Sequence, residues 1–179
     1  RQALHMMKEE KLFSGIYIAG TALAIAFTIV IVMAYNFKIA PVYPEVNRTN
    51  TYYFANKFLQ KGDHTIDQMV QAARSGKQNI VEGSEDGQTS SEMEIKLMNV
   101  ARGSLQELRA DYQDYLNTHH LPMWDADSER QKKLRDFCHS HNDFSDYGPL
   151  LVKMNDEEMA NLALTLCHQT DKMMCAYIE

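Results

Sequence analysis

Two stretches decide the fold: TIDQMVQAARSGKQNIVEG, residues 65–83, and SEMEIKLMNVARGSLQELRADYQDYLN, residues 91–117. In the first, Ile66, Met69, Val70, Ala73, Ile80 and Val81 recur at spacings of three and four, with Gly76 in the same stripe. That period belongs to one face of an α-helix. Thr65 with Gln68 forms an expected capping box at the start, and Gly83 is the expected left-handed terminator. In the second stretch Leu97, Ala101, Leu105, Leu108, Tyr112 and Tyr115 form the apolar face, and Ser91 with Glu94 makes another box.

Working outward, an earlier helix is expected from about Glu45 to Gln60, stopping at Lys61-Gly62-Asp63. Beyond His119-His120, the segment Leu121-Pro122-Met123-Trp124 is a connector expected to dock Trp124 on its neighbours. A shorter helix from Ser128 to about His139 follows, then a loop through Gly148-Pro149. The last helix is capped by Asn155 with Glu158, and Met159, Leu162, Ala163, Leu166, Thr170, Met173 and Tyr177 form its expected inner stripe. Long helices joined by short turns predict an all-α chain built as an up-down four-helix bundle.

Polar side chains add detail. Gln68, Ser75, Asn79 and Glu82 share one side of the second helix, and Ser104, Glu107, Asp111 and Asp114 one side of the third. They are either solvated faces or a polar seam that fixes register. In the seam reading, Asn79 and Glu82 bond across to Ser104 and Glu107, while Gly76 and Gly103 let the helices approach closely.

The front of the chain differs. From Leu12 to Phe37, 26 residues carry no charge, and Lys11 and Lys38 bracket them. A helix of that length exceeds the roughly 30 Å hydrocarbon core of a bilayer, which predicts a transmembrane helix at 12–38 with lipid as partner through residues 12–37. A signal peptide is the competing reading, but its apolar region runs to only about 7–15 residues. The organisation expected is a flank at 1–11, the span at 12–38, a junction at 39–51 and the bundle at 52–179.

The stretch KLFSGIYIAGTALAIAFTIVIVMAYNFKIAPVYPEVNR, residues 11–48, resembles the first transmembrane segment of FtsX/MacB-type ABC-transporter permeases. The likeness covers residues 8–48, and the family's large extracytoplasmic domain and further spans do not follow. QAARSGKQNIVEG, Gln71 to Gly83, with LMNVARGSLQELRADY, Leu97 to Tyr112, resembles the bacterial four-helix-bundle proteins encoded in ribosomal-RNA intervening sequences and their relatives called the four-helix-bundle suffix domain. The family normally carries a longer first helix, where PVYPEVNRTN, residues 41–50, stands here. This resemblance implies a bundle that can assemble as a ring-shaped homopentamer, and proteins of related shape bind RNA through basic surfaces. By motif it implies structural or assembly roles for Arg74, Ser75, Asn79, Glu82, Gly83, Gly103, Ser104 and Glu107.

The formal charge of −6 is unevenly spread, since four of the 18 basic and only two of the 24 acidic side chains lie in residues 1–38. The remainder is acidic, which opposes nucleic-acid binding unless bases gather on one face. The candidate RNA contacts are Lys57, Lys61, Arg74, Lys77, Arg102 and Arg109. Cys138, Cys167 and Cys175 lack a C-x-x-C spacing and suit reduced, partly buried thiols. Cys138-His139-Ser140-His141 and Cys167-His168 do not have the spacing at which helical ligands converge on zinc. No nucleotide-binding loop, dinucleotide fingerprint or nucleophile elbow occurs, so no catalytic, cofactor or metal residue is assigned. The expected function is a non-enzymatic scaffold that self-associates and binds a protein or structured RNA. The alternative is a permease fragment joined to an unrelated bundle by a chimeric reading frame. The expected location is the bacterial cytoplasmic membrane if the span is genuine, and otherwise the cytoplasm.

Overall fold

The computed structural model describes residues 42–86, 91–141 and 143–178. The span expected at 12–38 lies outside them, and among the described residues no helix is long and apolar enough to cross a membrane. The described residues are all-helical: α1 Val42–Phe58, α2 His64–Asp86, α3 Ser91–Thr118, α4 Glu129–Ser140, α5 Phe144–Lys153 and α6 Asp156–Ile178.

The four long helices α1, α2, α3 and α6 close into a ring in which each packs on the next and α6 returns to α1. Every neighbouring pair runs antiparallel. Asn50 Nδ2 donates to the Met159 carbonyl at 3.1 Å, which sets α6 against α1, and Lys57 Nζ donates at 3.1 Å to the carbonyl of Met154, just before α6 begins. Tyr115 donates to Asp156 at 3.1 Å and Arg102 to Asp171 at 2.7 Å, which sets α6 against α3. The core between them is aromatic at its centre. Phe54 meets Tyr112 and Tyr115 edge-on, with centroids 4.9 and 4.7 Å apart, and Met69, Leu108, Leu116, Met159, Leu162 and Leu166 complete the packing.

α1 runs without a break through residues 42–51, and Tyr43, Val46, Asn47, Asn50 and Thr51 on it are buried. α4 and α5 form a second layer. Leu134 and Cys138 of α4 and Tyr147 and Leu151 of α5 are buried, and the Tyr43 hydroxyl donates to the Cys138 carbonyl at 2.8 Å. Trp124 docks as expected. Its backbone N–H donates to Asn161 Oδ1 at 2.8 Å, its indole N–H to Glu157 at 2.6 Å, and the Arg130 guanidinium lies 4.7 Å from the ring centroid.

Local signals held in some places and were overridden in others. At α6 the Asn155 side chain accepts from the Glu158 N–H at 2.8 Å while Glu158 accepts from the Asn155 N–H at 3.1 Å, a complete capping box. At α2 the cap is Asp63 and not Thr65: Gly62 turns the chain at φ +94, and the Asp63 carboxylate accepts the Thr65 N–H at 2.9 Å. The loop expected at Gly148-Pro149 is helix α5, capped by Asp143 accepting from the Ser145 N–H at 3.0 Å. Pro149 cannot donate to the Ser145 carbonyl. Burial of Tyr147 and Leu151, one turn apart, holds the helix despite that loss. In α6 the inner stripe shifts at its end, where Met174 is buried and Tyr177 is exposed. Val81 likewise leaves the inner stripe of α2 for the surface.

Gly83 does not end α2, which continues to Asp86. A methyl added there would stand 3.3 Å from Leu97 Cβ and 3.4 Å from Met98 Cε, so close approach of α2 to α3 is what needs the missing side chain. Gly103, expected to serve that purpose, is exposed and has nothing within 4 Å of its virtual Cβ. The two glycines therefore respond oppositely to substitution. Gly103→Ala should raise the unfolding free energy by about 0.5–1 kcal/mol, the cost of glycine in a helix interior. Gly83→Leu should lower it by about 1–3 kcal/mol through overpacking. Urea midpoints of the two variants, moving in opposite directions, are the measurement.

Candidate functional site

The sequence singled out six cations and eight motif residues, and the fold gathers only some of them, on three surfaces. On the first, between α1 and α2, the Glu45 carboxylate accepts from Arg48 at 2.6 Å and also pairs with Lys77 of α2. The Arg48 bond, together with Lys77, holds the Glu45 carboxyl below the usual carboxylate range against the opposing effect of burial. Beside this pair runs an open groove of about 460 Å³ lined by Arg48, Arg74, Lys77, Gln78, Val81 and Glu82. Gln78 donates to Glu82 at 2.8 Å across one turn of α2. Arg74 is exposed and has no hydrogen bond or ion pair among the described residues. It is the uncompensated cation of the groove.

Of the expected cationic set, only Arg74 and Lys77 come together, and Arg48 joins them. Lys57 is held by the Met154 carbonyl and lies 4.9 Å from the Phe58 ring centroid. Lys61 is exposed in the turn before α2, Arg102 is committed to Asp171 on the α3–α6 seam, and Arg109 is half-buried on α3. Arg48 was passed over because it lies in the stretch read as a junction. Its placement at i+3 from Glu45 at the start of a helix was the signal available.

The second surface is the seam between α2 and α3. Ser104 Oγ donates to Ser75 Oγ at 3.1 Å, and Asn79 Nδ2 donates to the Ser75 carbonyl at 2.8 Å and lies 3.2 Å from its hydroxyl. The seam is therefore shorter than expected. Glu82 and Glu107 are exposed and make no bond across it, because both fall on the outward arc of their helices, where a carboxylate keeps its water.

The third surface is a carboxylate ridge on α3, made by Glu107, Asp111 and Asp114. Burial, then Asp114 and Glu107, push the Asp111 carboxyl above its usual range. Among the described residues no group of three His, Cys, Asp or Glu side chains could hold a metal ion. The described thiols are free, and burial pushes Cys138 up to about 11 and Cys167 up to about 12, so both stay protonated near neutrality. A protonated, buried thiol is a poor nucleophile.

The Asp111 environment gives a signed expectation. A carboxyl raised in the folded state binds its proton more tightly there, so its penalty is present above that raised value and is relieved as pH falls through it. Asp111→Asn should stabilise the fold at pH 7 by about 0.5–1 kcal/mol, the scale of two like-charge contacts along a helix. The gain should shrink toward zero in acid, as denaturation at several pH values can record. No family model, no curated protein and no solved structure matches the chain.

Proposed function

We propose that the bundle is a non-enzymatic scaffold that binds structured RNA along the α1–α2 groove, with self-association multiplying a patch that is small in one copy. The observation that carries this reading is Arg74, an unpaired guanidinium beside Arg48 and Lys77 in an otherwise acidic bundle. A guanidinium fork suits phosphate, and neutralised phosphates supply most of the affinity for a nucleic-acid backbone. The resemblance of residues 71–83 and 97–112 to intervening-sequence proteins supports the same direction, since proteins of related shape bind RNA through basic surfaces. Residues 12–37, uncharged over 26 positions, serve in this reading as a membrane anchor.

A second reading has one observation of its own. The ridge Glu107, Asp111 and Asp114 makes no ion pair among the described residues, so the groove of one copy could receive the ridge of another. Such a contact joins unlike surfaces and propagates into a ring or filament.

Fluorescence anisotropy of a labelled stem-loop RNA, titrated with the full chain in nonionic detergent at several salt concentrations, separates the two. RNA binding that weakens with salt is expected. Arg74→Ala should weaken it and reduce the slope of log affinity against log salt by about 0.7–0.9, the share of one phosphate contact. Absence of salt-dependent binding at low ionic strength removes the RNA reading. A change of oligomer size in Arg74→Ala, measured by light scattering with RNA affinity untouched, makes the groove a contact between copies.

A further inference from the structure

Tyr52 follows Arg48 by one turn on α1 and so extends the side of that helix from which Arg48 lines the groove. The Glu45–Lys77 ion pair marks the register of the antiparallel pair. Counting equal steps from it along both helices brings Arg48 level with Arg74 and Tyr52 level with Val70, one turn beyond both arginines. Tyr52 is 57% exposed, and its hydroxyl has no hydrogen-bond partner among the described residues. Tyr53 beside it is 46% exposed and meets it nearly perpendicular, at 80° with centroids 6.4 Å apart. An edge-on neighbour leaves a face of the Tyr52 ring free for stacking.

A free guanidinium flanked by two further cations, with an exposed aromatic ring one turn beyond, matches what single-stranded nucleic acid needs: phosphate meets the charge and a base covers the ring. A base inside a duplex already has both faces covered by its neighbours. We propose that the groove continues past its arginines onto Tyr52, where an unpaired RNA base stacks, so that it selects looped or single-stranded RNA over continuous duplex. This rests on the RNA reading above and adds to it the kind of RNA. At the opposite end of the groove Glu82 carries charge of the wrong sign for phosphate, which fixes the polarity of the site: backbone on the arginines, base on the tyrosine.

The test titrates the full chain in nonionic detergent into a labelled adenosine homopolymer and, separately, a fully paired RNA duplex of equal length. Wild type should bind the homopolymer more tightly. Stacking of one base is worth about 1–3 kcal/mol, so Tyr52→Ala should lose roughly tenfold in affinity for the homopolymer. It should change neither the duplex affinity nor the salt slope, and Tyr52→Phe should bind as wild type. Equal losses on both RNAs, or an unchanged homopolymer affinity in Tyr52→Ala, overturn the stacking proposal and leave the RNA reading standing. Failure of wild type to bind either RNA overturns the RNA reading itself. An altered oligomer size in Tyr52→Ala with RNA affinity unchanged makes the ring a contact between copies and also overturns stacking.

Discussion

Burial of α6 from Met159 to Cys167 dictates how the other helices pack. Over that stretch only Leu164 reaches intermediate exposure. A helix apolar on more than one face must be covered on more than one face. α1 and α3 cover its inner side as members of the ring, and α4 packs on it from outside, with α5 lying against α1. The polar atoms on that outer side must then be satisfied locally, because an unpaired buried amide costs about 1–3 kcal/mol. Asn161 donates to the Pro122 carbonyl at 3.1 Å and accepts from Trp124, while Thr165 accepts from Gln131 at 2.9 Å. The connector after α3 is thus ordered by the needs of α6.

The opposite wall of α6 is unusually polar. Asn47, Asn50 and Thr51 of α1 are buried, and Tyr112 donates to Thr51 Oγ1 at 3.0 Å, which in turn donates to the Asn47 carbonyl at 2.8 Å. Asn47 Nδ2 donates to the Cys167 sulfur at 2.8 Å, yet Oδ1 of Asn47 and of Asn50 have no partner. Apolar residues of similar volume would stabilise such a site at least as well. What the polar set adds is discrimination: sliding α1 by one turn would break the bonds it makes to other helices, Tyr112 to Thr51, Asn47 to Cys167 and Asn50 to Met159, so the register that forms the α1–α2 groove is the one the interior prefers.

That groove matters because charge on this chain is unevenly placed. Most acidic side chains lie on solvated arcs, where their repulsion is screened over roughly 10 Å. Glu45 is different. Drawn between two helices, it gathers Arg48 and Lys77 and leaves Arg74 beside them without a carboxylate of its own. The excess is one guanidinium wide, which makes any strong use of this surface a matter of repetition across copies or of added contacts such as an aromatic ring.

Five of the six described helices were legible because their existence depends on short-range chemistry: periodic apolar residues in α2 and α3, the Asn155–Glu158 box of α6 and the Ser128 cap of α4 each act within one or two turns. The same locality explains the misreadings. Pro149 and Gly148 carry loop propensity, and only the pocket that buries Tyr147 and Leu151 makes a helix of them. Gly83 carries a stop signal, and only the nearness of Leu97 on another helix reveals it as a packing position. Of the candidate site, Arg74 and Lys77 were visible as charges one turn apart. Their meeting with Arg48, and the separation of Lys57, Lys61, Arg102 and Arg109 from them, was set by the antiparallel register of α1 on α2. Local pattern was enough to place α1, α2, α3, α4 and α6, where nearest-neighbour terms favour the helix, but not α5, where they oppose it. The tertiary structure alone decided which faces meet, since that depends on pairs of residues far apart in the chain whose energies no local pattern contains.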